Sequence, residues 1–213
     1  NRGADDAAGL GISETMRASI RGLAQAQRNI QDGVSVVQTA EGNLNQVHSM
    51  LQRMRELAVQ SGNGAISTAG REAIQTEINQ LVSEIDRIGR EASFNGVRLL
   101  ASASTNVTFQ VGANDGETIV IALISLTADL ASAAGATYYN LSGTAPISAI
   151  DTAVNRVSSL RSTFGAVQNR LRRLKLKLLP RDASGQRIVV QDPVDHFDGL
   201  AGEVAADQPR LLA

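Results

Sequence analysis

The stretch Leu44-Asn45-Gln46-Val47-His48-Ser49-Met50-Leu51-Gln52-Arg53-Met54-Arg55-Glu56-Leu57-Ala58 repeats apolar side chains at two phases of seven: Leu44, Leu51 and Ala58, with Val47 and Met54 between them. Toward the N-terminus the first phase continues through Val37, Ile30, Leu23 and Met16. The second recurs at Ala40 and Ala26, with Ile20 and Val34 one position over. A sustained repeat of this kind is the seam of a long helix packed lengthwise against partner helices. From Met16 to Ala58 such a helix runs about 65 Å, longer than a small globular domain is wide. The sequence therefore predicts a rod rather than a globule.

Working outward, nothing before Pro146 must break a helix, because the prolines are Pro146, Pro180, Pro193 and Pro209. Gly22, Gly33 and Gly42 interrupt the seam. Each lowers helix propensity by about 1 kcal/mol relative to Ala, so packing must supply the difference, and small residues let helices approach closely. Ser61-Gly62-Asn63-Gly64 supplies a stop. Ile74, Ile78, Leu81, Ile85 and Ile88 then step by four and three, which predicts a second, amphipathic helix folding back on the first.

At Ser93-Phe94-Asn95-Gly96 the pattern turns, and Thr105–Gly112 and Glu117–Ile121 alternate around Ala113-Asn114-Asp115-Gly116, predicting a β-hairpin over 107–121. Residues 125–146 show no firm period beyond Leu126 and Leu130 and read as a connector. A third helix follows, with Ile150, Val157, Phe164, Leu171 and Leu178 at sevens and Val154, Leu160, Val167 and Leu174 between. The expected fold is mainly α: a rod-shaped, coiled-coil-like bundle of three helices with a small β-hairpin. Its expected pieces are a helix over about 6–60, a helix over about 69–91, a hairpin region over about 94–122, a connector over about 125–146 and a helix over about 148–179. The first helix should run unbroken through most of 10–58. The segment 172–213 carries Pro180, Pro193 and Pro209 and many acids but no helical seam, and reads as an atypical, loosely structured tail.

Composition narrows the function classes. Twenty Lys and Arg against 21 Asp and Glu give a net charge of −1, so no global basic field is available for nucleic acid or an anionic membrane. There is no Cys, which removes thiol nucleophiles, disulfides and cysteine zinc sites. Aromatic residues are 3% of the chain, too few for aromatic-lined ligand pockets. No apolar run is long enough to span a membrane, and the start Asn1-Arg2-Gly3 has no signal-peptide pattern. Opening in mid-pattern without Met, the chain reads as a fragment.

Candidate chemistry is sparse. His48 sits beside Val47 and Leu51 without a second His nearby and reads as structural. Asp195-His196-Phe197-Asp198 places an imidazole among carboxylates but lacks the ligand count of a cation cage, so a solvated loop is the better reading. Asp115-Gly116 is explained by the turn it makes. Arg172, Arg173, Lys175 and Lys177 read as cations near a helix C-terminus, where the dipole favours them. No Ser or Thr has a base held by a third group. Neither a catalytic residue, a metal ligand nor a cofactor site is expected.

The richest surface candidate is Leu51–Gln60. With Leu51, Met54 and Ala58 in the seam, Arg53, Glu56, Leu57 and Gln60 fall on the outward side as one patch. An outward Leu ringed by Arg and Gln has the composition of a small binding hot spot. The alternative packs Leu57 on the second helix.

These residues resemble the conserved D1 region of bacterial flagellin. The resemblance is carried by Asp5-Asp6-Ala7-Ala8-Gly9-Leu10, Arg28-Asn29-Ile30-Gln31-Asp32-Gly33, Gln38–Leu44, Leu51–Gln60, Phe94-Asn95-Gly96, Phe109–Gly116 and Gly165–Arg170, in family order and spacing over about 1–171. Three features depart from the family. The segment that precedes Asp5-Asp6 is absent, the outer domains are missing or vestigial, and the residues after Arg170 do not match. The resemblance implies a secreted, extracellular structural subunit of the flagellar filament, with other flagellin subunits as partners. Without core-forming termini the chain as given is expected to be monomeric and not to polymerise into a native filament. The resemblance also implies recognition by Toll-like receptor 5 through Arg53, Leu57 and Glu77, with Gln52, Glu56 and Gln60 as neighbours. A cell-surface flagellin homologue acting as an adhesin or polysaccharide-binding protein is the alternative, against which the few aromatic rings weigh.

Overall fold

The computed structural model describes residues 7–101, 106–134 and 146–178. All of them belong to one unit, Asn1–Leu178. The motif Asp5-Asp6, the Asp195–Asp198 cluster and the tail from Leu179 onward lie outside the described residues.

The heptad seam becomes a single uninterrupted helix, α1 (Ala7–Ser61), of 55 residues. It is mainly helical company that it keeps: α2 (Thr68–Glu91), α3 (Leu126–Ala134) and α4 (Pro146–Leu178), with the strands β1 (Ser93–Phe94), β2 (Val97–Arg98), β3 (Asn106–Gln110) and β4 (Thr118–Ala122) between α2 and α3. Ser61-Gly62-Asn63-Gly64 ends α1, and the Gly62 N–H closes back on the Ala58 carbonyl at 3.3 Å. Ser67 caps α2, its hydroxyl accepting from the Gly70 N–H at 3.2 Å in extended backbone geometry.

α1 is flanked by α2 and α4. The direction of α4 is fixed by three cross-helix contacts: Arg55 to Asp151 at 2.6 Å, Lys175 to Gln31 at 2.9 Å and the Gln27 amide to the Leu178 carbonyl at 2.8 Å. Rising numbers on α4 meet falling numbers on α1, so the two are antiparallel. Ala26, Ile30, Val37, Ala40, Leu44, Val47, Leu51, Met54 and Ala58 are buried, as are Ile150, Val157, Phe164 and Leu171 of α4 and Ile74, Ile78, Ile85 and Ile88 of α2. Burial of this many branched side chains, each contributing about 1.5–3 kcal/mol, is what holds a helix that contains Gly9, Gly11, Gly22, Gly33 and Gly42.

The seam does not stay covered to its N-terminal end. Met16 is 61% exposed although it is in phase with the buried positions. Among the described residues the last tie of α4 to α1 is Leu178 opposite Gln27, and beyond it the β3–β4 turn approaches α1 at Gly22, where a Cβ would stand 3.2 Å from Ala113.

Asn95 and Gly96 adopt φ of 48° and 79°, the two left-handed positions of a tight hairpin turn, and pair Phe94 with Val97. The second hairpin pairs Asn106 with Ala122 through Gln110 with Thr118. On β4, Ile119 and Ile121 point into the core while Thr118, Val120 and Ala122 face out, the period of a half-buried strand. The Asn29 amide holds the Gln110 carbonyl at 3.0 Å and so ties β3 to α1.

Within the stretch expected to be a plain connector, α3 forms and adds a fourth helix to the three expected. Leu126 and Leu130, one turn apart, are both fully buried, and Asp129 pairs with Arg156 of α4 at 2.5 Å. Nine residues are too few for a sustained periodic signal, and only these tertiary contacts make the helix stable.

Candidate functional site

Across the α1–α2 seam the structure brings together Arg53, Glu56 and Glu77. Arg53 Nε donates to Glu77 Oε1 at 2.8 Å and its Nη1 to Glu56 Oε2 at 3.2 Å. Helical spacing puts Glu56 one turn beyond Arg53, while α2 delivers Glu77 from the other side. The hydrogen bond from Glu77, then that from Glu56, holds the Arg53 guanidinium above its ordinary pKa, so the cation persists at every accessible pH. Two of the five guanidinium N–H donors are used in these bonds, and the rest remain for a partner.

Gln52, Glu56 and Gln60 are exposed on the same side of α1. Gln52 meets His48 across one turn, Nε2 to Nε2 at 3.1 Å. His48 itself is half-buried, and its Nδ1 has no partner.

Leu57 is not outward. It is 1% exposed and belongs to the same apolar cluster as Met54, Ile74 and Ile78. The outward placement assumes a narrow seam facing one partner. Because α1 packs against both α2 and α4, it buries a wider arc, which takes in Leu57. The polar side chains of Arg53, Glu56, Gln60 and Gln52 therefore form the patch, and Leu57 lies beneath its edge as a support.

The remaining candidates carry little. Asp115 and Gly116 sit in the β3–β4 turn, with Gly116 at φ 81°. Glu117 rather than Asp115 organises that turn, its Oε2 accepting from the Asn114 N–H at 3.0 Å. Arg172, Arg173 and Lys177 are exposed along the last turns of α4, and Lys175 is engaged by Gln31. Among the described residues no group of three or more His, Asp or Glu could hold a metal ion. No described helix is long and apolar enough to cross a membrane.

One feature is invisible to one-dimensional reading. A cleft of about 620 Å³ opens between α1 and the first hairpin, lined by Asp32, Val36, Phe94, Val97, Val107 and Phe109 among others. Its walls come from three separate segments, so no local spacing announces it. Only the two phenylalanines, scarce in this chain, could have drawn notice.

The family described as the bacterial flagellin N-terminal helical region matches residues 1–105. A flagellin of Halalkalibacterium halodurans is 51% identical over 174 residues, 80% of this chain and 64% of that protein. The flagellar filament 30.7 kDa core protein of Treponema maltophilum is 42% identical over 186 residues, 80% of this chain and 65% of that protein. The chain thus spans just under two thirds of the length of these relatives. The crystal structure of Bacillus cereus flagellin superposes with a TM-score of 0.62 at 30% identity, covering 74% of this chain and 91% of that one. A putative flagellar hook-associated protein from Vibrio parahaemolyticus shares the fold at a TM-score of 0.66 and 17% identity.

Proposed function

The chain belongs to the bacterial flagellin family, and we propose that it is part of a structural subunit of the flagellar filament, extracellular, with other flagellin subunits as its partners. The observation that carries this is α1: one unbroken 55-residue helix whose seam is shared with α2 and α4. A helix of this length extends about 80 Å, and a load along it is spread over many buried contacts rather than a few. The reading takes α1, α2 and α4 as a coiled-coil-like three-helix bundle, residues 1–171 as the D1-like part and 172–213 as a separate tail. It assigns the chain no catalytic role, since a subunit of this kind acts through its surface.

The test is a chimera in which residues 7–178 replace the corresponding segment of a filament-forming flagellin. Filaments visible by electron microscopy and swimming cells are expected. An exported, helical chimera that forms no filaments would overturn the proposal.

The same reading makes the polar face of α1 and α2 a contact surface for Toll-like receptor 5, with Arg53 and Glu77 central, Gln52, Glu56 and Gln60 around them and Leu57 supporting from below. What supports it is that the Arg53 fork is already oriented by Glu77 and Glu56, so little side-chain freedom is left to lose on binding. A Lys at 53 would keep the charge but not the planar fork.

A further inference from the structure

The cleft between α1 and the first hairpin has a chemistry of its own. On β3, Val107 and Phe109 stand two apart on one face and are half-buried, while Asn106 and Thr108 are exposed. Across the Asn95-Gly96 turn Phe94 and Val97 are directly paired, and directly opposed side chains share a face of a hairpin. α1 supplies Asp32 and Val36, one helical turn apart. All six line the cleft, whose volume of about 620 Å³ falls within the roughly 300–1,000 Å³ usual for small-ligand sites. Gly33 lets α1 come close to the ring of Phe109, whose Cγ would lie 3.5 Å from a Cβ at that position.

Two properties of the lining decide what fits. Phe94 and Phe109 are both half-buried and leave ring surface open, whereas Phe164 is 4% exposed in the core. Asp32 is exposed at the cleft wall and has no ion-pair partner among the described residues, whereas Asp86, Asp129 and Asp151 each meet an arginine. Arg28, one turn before Asp32, donates to Gln25 Oε1 at 3.0 Å instead. Arg98 follows Val97 and so alternates to the other face of β2. Open ring faces attract a cation through their quadrupoles, and the uncompensated carboxylate favours the same sign. Because Asp32 is exposed, its charge selects the ligand, while burial of an apolar body supplies most of the affinity.

We propose that this cleft binds a small aromatic ammonium, with its ring against Phe94 and Phe109 and its charge toward Asp32. The site departs from the sequence expectation that the chain has too few aromatic rings for a ligand pocket, because two of them converge here. It does not rest on the filament or receptor reading. For a ligand of about nine non-hydrogen atoms the Kd is on the order of a millimolar.

The test is an NMR titration of the ¹⁵N-labelled full chain with three probes of equal size and different charge: 2-phenylethylammonium, 2-phenylethanol and phenylacetate, each to about 20 mM. The ammonium is expected to shift the signals of Asn95, Gly96, Val97 and Phe109, and to bind about threefold or more tightly than the alcohol, with phenylacetate weakest. Asp32→Asn, at an exposed site, should erase the preference for the ammonium and leave the affinity for the alcohol unchanged. Val97→Trp, at a position 42% exposed, should keep the circular dichroism of the parent and abolish binding of all three by filling the cleft. A chain that binds none of the probes overturns the proposal, as do shifts confined to residues away from the cleft. An alcohol bound as tightly as the ammonium, or an Asp32→Asn chain that keeps the preference, overturns it equally.

Discussion

Leu57→Ala is expected to lower the unfolding free energy by about 2–5 kcal/mol, the range for truncating a buried Leu. Leu57 is 1% exposed, and its loss leaves a cavity in the apolar cluster that holds Met54, Ile74 and Ile78. Against a typical stability of about 5–15 kcal/mol for a domain, this is a large fraction. The measurement is urea unfolding followed by circular dichroism, where the midpoint should fall with little change in slope. Arg53→Ala, at the exposed end of the same patch, should leave the midpoint nearly where it was. If Leu57→Ala leaves the midpoint unmoved, Leu57 is outward after all. The contrast also governs binding experiments. A loss on Leu57→Ala reports a damaged support unless folding is matched, whereas a loss on Arg53→Ala reports the surface.

The second large effect is at Gly33. A Cβ there would stand 3.3 Å from Leu171 Cδ1 and 3.5 Å from Phe109 Cγ, at the point where α4 and β3 both press on α1. Gly33→Ala places two terms against each other: about 1 kcal/mol gained in helix propensity, and a contact tight enough that the flexible Leu171 end must give by a few tenths of an ångström. The two nearly cancel. Gly33→Leu adds three more carbons where there is no space and should destabilise by about 1–3 kcal/mol or more. Gly42 is the control, because a Cβ there meets nothing within 4 Å. Gly42→Ala should stabilise by about 0.5–1 kcal/mol. Thermal melts of the three variants in parallel decide the matter. A Gly33→Leu chain as stable as the parent would mean that α4 and β3 do not close on α1 as described.

Much of this was legible in the sequence because the seam is long. Seven apolar positions at one phase leave no other reading for α1, and Ile74, Ile78, Ile85 and Ile88 write the buried face of α2 just as plainly. Asn95-Gly96 and the alternation around Ile119 and Ile121 announced their hairpins through local turn chemistry and a period of two. What failed to show depended on contacts far apart in the chain. α3 is nine residues long and rests on Leu126, Leu130 and the Asp129–Arg156 pair, none of which makes a period. Leu57 could not be placed, because the width of the buried arc depends on how many helices flank α1. Met16 is in phase with the core yet exposed, because phase says which face a residue is on and nothing about what packs against it there. Of the candidate site, the residue types at Arg53, Glu56 and Glu77 were readable, but their junction by hydrogen bonds across two helices was not.

The central claim is that the polar face built by Arg53, Glu56 and Glu77 is a contact surface. The most direct measurement is the response of Toll-like receptor 5 reporter cells to the full chain and to Arg53→Ala, with folding matched by circular dichroism. The parent is expected to signal, and Arg53→Ala to need at least tenfold more protein for the same response. A folded parent that is silent, or an Arg53→Ala chain that signals as well as the parent, would contradict the account.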